Sequence, residues 1–432
     1  MLSPSLPPNP LAAERSPWLR GPVAVPGDPA VSRLALLLAG VARGESVLSN
    51  MSSEPAIAAL AGALRALGAD AQWHGGRWQI AGNGIGALFE PAAPLDFSGL
   101  GEAAPLLLGL LAAHDFDSPI TGLEATPVND ALLEFFARNG VRVRRDGDGL
   151  LLRGPRFTVP LDLALPEGAL ALKTPLLVMA LAIMGTSIFH LPDGGAEVAE
   201  RLMQAFGAQL AVAEDGQRVD LSGMEPLTGF DYAVPGDPLL AAYPAVAALL
   251  APDSEVTIPG ISLTPGRLGS LDALQLLGGD LTLVPHDDGA TADLTVRYGP
   301  LVGTILPASL DIPAEDRSIL AIAAAFAEGE TMIEGLAEGQ RRHALTRALR
   351  DNGIECEERE GGLLVRGQRR VPGGGKVATR LDPKLAMSFL VLGMATDKAV
   401  TIDDGGVMAG LFPDFVRAFE HVGASFSSGD AA

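Results

Sequence analysis

The chain has 432 residues, a formal net charge of −21 and a single cysteine, Cys356. This acidity argues against binding to nucleic acid or to an anionic membrane surface, because phosphate groups are bound by basic surfaces. The length favours two domains, and one cysteine excludes an internal disulfide bond and leads us to expect a cytoplasmic protein.

A six-residue motif occurs twice along the chain. AVPGDP spans residues 24–29 and 233–238, and an apolar helical pattern follows each copy. Gly and Pro favour a turn, and Asp favours a helix start. The N-terminal lead-in lacks the pattern of a signal peptide, and the most apolar run, 174–189, is too short to span a bilayer, so we expect no membrane contact.

A longer pattern recurs six times. An amphipathic helix ends at a glycine and an alternating, strand-like segment follows; these glycines, 67 to 75 residues apart, are Gly68, Gly140, Gly207, Gly278, Gly353 and Gly423. Glycine after a helix favours the left-handed cap conformation. A further strand-like stretch closes a hairpin, and a second, apolar helix lies between copies. The sequence therefore predicts an α/β fold of six β-α-β-α-β-β units.

Six units and a duplicated motif predict two lobes of three units each. The two copies of AVPGDP start 209 residues apart, and we place the crossings between the lobes near residues 25–28 and 234–237. One domain is then expected to contain residues 25–234. The other is expected to contain residues 1–24 together with 235–432.

From about residue 20 to residue 427 the chain resembles the enolpyruvyl transferase family, and within it the EPSP synthases. The segments that carry the resemblance are PGDPAVSRLALLLAG, IPAEDRSILAIAAAFAEG, EGQRRHALTRALRDNG, LDPKLAMSFLVLGMA and LFPDFVRAFEHVGA. The resemblance implies a two-lobed inside-out α/β barrel, with small-molecule substrates bound between the lobes. We expect a monomer without a cofactor or metal.

The resemblance also assigns roles to residues that match family motifs. Expected catalytic residues are Glu315, Glu338 and Lys384. Expected substrate-binding residues are Ser32, Arg33, Lys173, Asp237 and Arg341. Asp311 and Asp316 compete with Glu315 for the position of the catalytic aspartate, and four of the assigned residues have a structural alternative. Glu315 would be a solvated acid, Glu338 and Arg341 a helix surface pair, and Lys173 a charge that finds a partner or reaches solvent.

Other family positions are substituted. The family's lysine, serine and arginine of the first motif fall on Pro29, Ala30 and Leu34, and Glu102 stands where a threonine of the phosphoenolpyruvate-binding segment is usual. The serine, serine and glutamine that hold the shikimate phosphate, the lysine before Glu338 and a later histidine fall on Ala169, Leu170, Ala171, Ala337 and Pro383. Binding several anionic groups requires cations and helix N-termini.

We therefore expect an enzyme of this family that acts on an altered, less anionic substrate. A catalytically inactive relative that binds a metabolite or a protein is the alternative, and authentic EPSP synthesis is the less favoured expectation. RNA 3′-phosphate cyclases contain related units, but the net charge opposes the nucleic-acid binding that they require.

Overall fold

The computed structural model describes residues 9–147, 149–192, 198–264, 266–287, 289–336 and 338–429. The chain divides into two compact units. Unit 1 comprises Met1–Pro26 and Pro235–Ala432, and unit 2 comprises Gly27–Val234. Within the described ranges, no helix has the length and apolar character needed to cross a membrane.

The described chain contains twelve α-helices, six in each unit. In chain order they are α1 (Pro29–Val41), α2 (Pro55–Ala66), α3 (Ala104–Ala112), α4 (Pro127–Arg138), α5 (Lys173–Leu181), α6 (Val198–Ala205), α7 (Pro238–Leu250), α8 (Gly269–Leu276), α9 (Ser318–Ala325), α10 (Gln340–Asp351), α11 (Pro383–Ala395) and α12 (Phe415–His421).

Short strands alternate with these helices. In unit 2 they are β3 (Arg43–Ser49), β4 (Asp70–His74), β5 (Arg77–Asn83), β6 (Leu95–Asp96), β7 (Ser118–Thr121), β8 (Arg142–Asp146), β9 (Gly149–Arg153), β10 (Asp162–Ala164), β11 (Gly185–His190), β12 (Gln209–Val212), β13 (Arg218–Gly223) and β14 (Tyr232–Ala233). In unit 1 they are β1 (Leu11–Glu14), β2 (Arg20–Pro22), β15 (Glu255–Ser262), β16 (Asp280–Pro285), β17 (Thr291–Arg297), β18 (Ile305–Leu306), β19 (Glu330–Glu334), β20 (Cys356–Arg359), β21 (Gly362–Arg366), β22 (Lys376–Val377), β23 (Val400–Ile402) and β24 (Ser425–Ser428).

The strands form six four-stranded sheets within the described residues, which confirms the predicted six units. The orders in unit 2 are β14-β3-β5-β4, β6-β7-β9-β8 and β10-β11-β13-β12. Those in unit 1 are β2-β15-β17-β16, β18-β19-β21-β20 and β22-β23-β1-β24. In every sheet the first two strands are parallel and the other neighbours antiparallel, so the sheets share one topology.

The duplicated motif marks an exchange of strands. Strand β2, which precedes the first copy of AVPGDP, pairs with β15, which follows the second copy. Conversely, β14 precedes the second copy and pairs with β3, which follows the first. The chain therefore leaves a sheet of one unit and enters a helix of the other unit at each copy, and the same turn serves both passages.

The six repeated glycines have the predicted conformation. Their φ angles lie between 80° and 111°, in the left-handed region that glycine adopts without steric cost; the residues are Gly68, Gly140, Gly207, Gly278, Gly353 and Gly423. Each glycine ends a helix, and five of the six are followed directly by the first strand of an antiparallel hairpin of the same sheet. Gly423 is followed by β24, which pairs in antiparallel fashion with β1, a strand that is distant along the chain.

Three helices in each unit are buried along almost their entire length. They are α1, α3 and α5 in unit 2 and α7, α9 and α11 in unit 1, and every residue of α7 and of α9 is buried. A helix that is apolar all round belongs in a core, and we call these six the central helices. Two separate apolar cores form around them, one in each unit.

Both copies of AVPGDP start a central helix in the same way. Asp28 accepts a hydrogen bond from the Ala30 amide at 2.8 Å, and Asp237 accepts one from the Leu239 amide at 3.0 Å. The proline that follows each aspartate occupies the first helical turn, where no amide hydrogen is needed. The motif is thus a turn joined to a capped helix.

We expect the two motif glycines to differ in their tolerance of alanine. A Cβ atom on Gly27 would lie 1.9 Å from the Asn50 carbonyl oxygen, whereas on Gly236 the nearest atom would be a Val25 methyl carbon at 2.7 Å. A side-chain methyl group can shift more easily than a backbone carbonyl group. Gly27→Ala should therefore lower the free energy of unfolding by about 3 kcal/mol or more, and Gly236→Ala by about 1–2 kcal/mol. Urea denaturation followed by circular dichroism measures both, and equal losses would contradict this account.

Candidate functional site

The charged residues of the central helices gather at the N-terminal ends of those helices. Ser32 and Arg33 lie in the first turns of α1, and Lys173 is the first residue of α5. In unit 1, Asp237 and Lys384 lie at the starts of α7 and α11. The helix bodies are surrounded by apolar side chains, so a charge is tolerated only where it finds a partner or solvent.

In unit 2, Arg33 is the centre of a charged cluster. Its Nη1 atom lies 2.7 Å from Glu54 Oε1 and its Nη2 atom 2.6 Å from Glu102 Oε2. Nearby, the Ser32 hydroxyl accepts a hydrogen bond from the Ser52 amide at 2.9 Å. We call Ser32, Arg33, Glu54 and Glu102 the Arg33 cluster; it brings together two of the three residues predicted to bind substrate in this unit.

Lys173, the third, forms a buried ion pair. Its Nζ atom lies 3.0 Å from Oε1 of Glu200 on α6, and the two side chains are 6% and 1% exposed. The sequence predicts that the charge of Lys173 either finds a partner or reaches solvent, and the structure shows that it finds a partner. Both groups are taken out of water, so breaking the pair from one side would strand the other charge.

In unit 1, Lys384 lies between two carboxylates. Its Nζ atom is 2.7 Å from Asp316 Oδ2 and 3.7 Å from Glu315 Oε1. The Asp316 side chain is 3% exposed, whereas that of Glu315 is 42% exposed. Burial raises the pKa of Asp316 above its ordinary value, and the Lys384 ammonium opposes this rise. Of these two carboxylates, only Glu315 is therefore accessible to solvent or to a bound molecule.

Arg341 and Asp382 complete this group, which we call the Lys384 cluster together with Glu315, Asp316 and Lys384. Arg341 Nε lies 2.6 Å from Asp382 Oδ2, while Asp382 Oδ1 accepts a hydrogen bond from the Lys384 amide at 3.0 Å. Asp382 thus caps α11 and holds Arg341 at once. A cavity of about 110 Å³ is lined by Glu315, Arg341 and Asp382 among others.

Arg267, which pairs with Asp237, lies within electrostatic reach of this cluster. Its Nη2 atom is 2.8 Å from both carboxylate oxygens of Asp237. Burial raises the pKa of Asp316, and the charge of Arg267 is among the effects that oppose this rise. Tyr243 on α7 is fully buried. Its burial, and then the charges of Asp316 and Asp382, raise the pKa of its hydroxyl group well above the ordinary value.

Glu338 lies outside these pairings. Its side chain is 74% exposed and its Oε1 atom lies 3.3 Å from Arg342 Nη2, four residues along the chain. The sequence-based alternative, a surface ion pair between Glu338 and Arg341, is wrong. Arg341 contacts Asp382, and Glu338 contacts Arg342. Ala337, at the position of a family lysine, lies outside the described residues.

Sequence reasoning missed four ionic partners of the predicted residues, namely Glu54, Glu200, Arg267 and Asp382. Asp382 precedes a proline at a helix start, as Asp28 and Asp237 do. That shared Asp-Pro pattern could have identified it as a cap. Glu54 likewise precedes a proline at the N-cap position of α2, whereas Glu200 and Arg267 carry no comparable local signal.

A single property unites the two clusters and Lys173. The predicted cations Arg33, Lys173, Arg341 and Lys384 each have a carboxylate oxygen at 2.6 to 3.0 Å. An anionic ligand therefore has to compete with a carboxylate at each of them, which opposes the binding of several phosphate or carboxylate groups together.

Comparison with known proteins gives one family. The family model of EPSP synthase (3-phosphoshikimate 1-carboxyvinyltransferase) matches residues 14–419. A 3-phosphoshikimate 1-carboxyvinyltransferase of Parvibaculum lavamentivorans is 37% identical over 96% of each chain. A protein of the same name from Mesorhizobium japonicum is 35% identical over 96% of this chain and 98% of its own length.

Solved structures agree on the fold. An EPSP synthase from Acinetobacter baumannii aligns with a TM-score of 0.83 and 25% identity, over 98% of this chain and all of its own. The enolpyruvyl transferase NikO from Streptomyces tendae aligns with a TM-score of 0.72 and 20% identity, over 98% of this chain and 99% of its own. Together they confirm the predicted α/β enolpyruvyl transferase fold.

We expect Lys384→Met to make stability fall more steeply with rising pH than it does in the wild type. Without the ammonium group, the pKa of buried Asp316 rises further above its unfolded value, so the folded state holds a proton that the unfolded state releases. Stability is then lost as pH rises from about 4 to the raised folded-state pKa, reaching about 3 kcal/mol at pH 7. Urea midpoints between pH 4 and pH 8 measure this, with Lys398→Met as the exposed control. Parallel pH profiles of the two variants would refute it.

Proposed function

This chain belongs to the EPSP synthase family, and we propose that it is an enzyme that transfers the carboxyvinyl group of phosphoenolpyruvate to a hydroxyl group of an acceptor. One observation carries the proposal beyond family membership. The half-exposed Glu315 carboxylate lies 3.7 Å from the Lys384 ammonium and lines the cavity of the Lys384 cluster.

The chemistry of the transfer fits this pair. The acceptor oxygen and a proton add across the vinyl bond of phosphoenolpyruvate; phosphate and a proton then leave, and the double bond is restored. One group must give a proton to the terminal carbon and take one back from it. We assign that role to Glu315, whose carboxylate lies 3.7 Å from the Lys384 ammonium group.

Asp316 is assigned a positioning role. Its buried carboxylate is 2.7 Å from Lys384 Nζ and holds the ammonium group beside Glu315. Arg341 is the cation of this cluster with the most exposed side chain, at 49%, and it is the residue we expect to contact an anionic group of phosphoenolpyruvate. Arg341 would then either bind Asp382 and the anionic group together or exchange Asp382 for that group.

Shikimate 3-phosphate is the first candidate acceptor. Relatives that carry the name 3-phosphoshikimate 1-carboxyvinyltransferase are 35–37% identical over 96% of this chain, and this similarity favours authentic EPSP synthesis. It weighs against the altered substrate that the substituted family positions lead us to expect.

A less anionic acceptor is the second candidate, and a specific observation favours it. In unit 2, Arg33 and Lys173 are each paired with carboxylates, and Glu102 and Glu54 together place two negative charges on one guanidinium group. A phosphorylated acceptor would have to displace one of them. Shikimate without its phosphate is the simplest test compound of this kind.

We expect purified wild-type protein to release phosphate from phosphoenolpyruvate only when an acceptor is present. Glu315→Gln should lower kcat by about 100-fold or more, since a general acid-base group contributes 10²–10⁴-fold. Glu330→Gln is the matched control, because Glu330 is an exposed carboxylate of unit 1 that pairs with Arg366. Phosphate release and mass spectrometry of the product measure the reaction.

The choice of acceptor decides between the candidates. Turnover with shikimate 3-phosphate supports EPSP synthesis, and turnover with shikimate alone supports the less anionic acceptor. Absence of turnover with both acceptors overturns the assignment of activity and supports the inactive, metabolite-binding or protein-binding alternative. An unchanged kcat in Glu315→Gln overturns the role of Glu315 while leaving the reaction in place.

A further inference from the structure

The Arg33 side chain is buried, and both of its terminal nitrogens donate hydrogen bonds to carboxylates of this chain. It is 6% exposed, although it lies in the first turns of an apolar helix. Nη1 donates to Glu54 at 2.7 Å and Nη2 donates to Glu102 at 2.6 Å. The two carboxylates therefore occupy the donors with which a guanidinium group would otherwise bind an oxyanion such as phosphate.

The two carboxylates differ in how firmly they are held. Glu54 is 25% exposed and stands at the N-cap position of α2. Glu102 is 80% exposed and belongs to a single 3-10 turn, Gly101–Ala103, before α3. The Arg33 edge that faces Glu102 is therefore closed by a side chain that lies mostly in water and can move away without unfolding either helix.

We propose that Glu102 is a specificity-determining residue: its carboxylate occupies the Nη2 edge of Arg33 and excludes a phosphate or carboxylate group from that position. This inference deepens the proposed function and rests on it only for the identity of the acceptor. A neutral hydroxyl group can still accept a hydrogen bond beside the pair, whereas an anion meets both the occupied guanidinium edge and the negative charge of Glu102.

The Glu102 carboxylate can leave Arg33 again, because the two residues of this ion pair differ in burial. An exposed ion pair is weak, because water screens the attraction and the side chain loses entropy when it is fixed. Arg33 is different, because its charge is buried and must keep a partner. Removing Glu102 therefore leaves Arg33 anchored by Glu54, with one charged edge that seeks a new acceptor.

Binding of inorganic phosphate to the full chain tests the proposal directly. Isothermal titration at low ionic strength should show weak or no binding to the wild type. Glu102→Gln should bind phosphate at least about tenfold more tightly, since a charge-assisted hydrogen bond contributes 1.5–3 kcal/mol. Glu102→Thr should show the same gain with a shorter neutral side chain.

Two further variants separate the proposal from simpler explanations. Glu134→Gln removes the same charge from an exposed pair with Arg138 in the same unit, so it should leave phosphate binding unchanged. Arg33→Gln added to Glu102→Gln should abolish the gain, with thermal unfolding confirming that the double variant is folded. If that variant does not fold, Arg33→Lys in the same background replaces it, and the gain should fall by about fivefold or more.

The proposal is overturned if both Glu102 variants bind phosphate no better than the wild type, or if Glu134→Gln gains as much. A gain that survives the replacement of Arg33 also overturns it. Because phosphate binding is measured without phosphoenolpyruvate or an acceptor, it is independent of turnover. If the Glu102 variants bind phosphate more tightly but the wild type shows no turnover, this inference stands and the proposed function is refuted. If the wild type shows turnover but the variants bind phosphate no more tightly, the proposed function stands and this inference is refuted.

Discussion

The almost complete burial of the central helices is the constraint on which the rest of the structure depends. A helix with apolar side chains on all faces cannot carry a charge along its body, because no solvent or partner is at hand there. The charged side chains at α1, α5, α7 and α11 therefore collect near the N-terminal ends of these helices. These ends also present unpaired backbone amides and a partial positive charge, which carboxylates neutralise. Asp28, Asp237 and Asp382 do this as caps.

The two units meet this constraint with opposite results. In unit 1, Lys384 is held by the buried Asp316, and the nearby Glu315 carboxylate remains partly exposed. In unit 2, each terminal nitrogen of the buried Arg33 is bound to a carboxylate, so the cation is closed off. The roles that we propose for the two clusters follow from this difference: proton transfer for the Lys384 cluster, and selection of the bound groups for the Arg33 cluster. This asymmetry favours a division of labour between reaction and selection.

Family membership and local charge depend on different residues. The family is recognised through features that build the fold, namely the glycines after the helices, the alternating strands and the apolar central helices. Substrate choice depends on a few side chains at the helix starts, and these can change while the fold persists. Overall similarity therefore favours the relatives' reaction, whereas the pairing of Arg33 and Lys173 with carboxylates bears on the acceptor alone.

The sequence by itself determined the features that depend on neighbours along the chain. Gly68 and the five equivalent glycines end helices because only glycine adopts a positive φ freely there, and the Asp-Pro pairs start helices because their geometry is local. The exchange of strands and the ion pairs were decided by the tertiary structure alone. Arg33 contacts a residue 69 positions away and Lys384 one that is 68 away. Helical spacing allowed Glu338 to pair with Arg341, but a distant partner took Arg341 because folding placed Asp382 beside it.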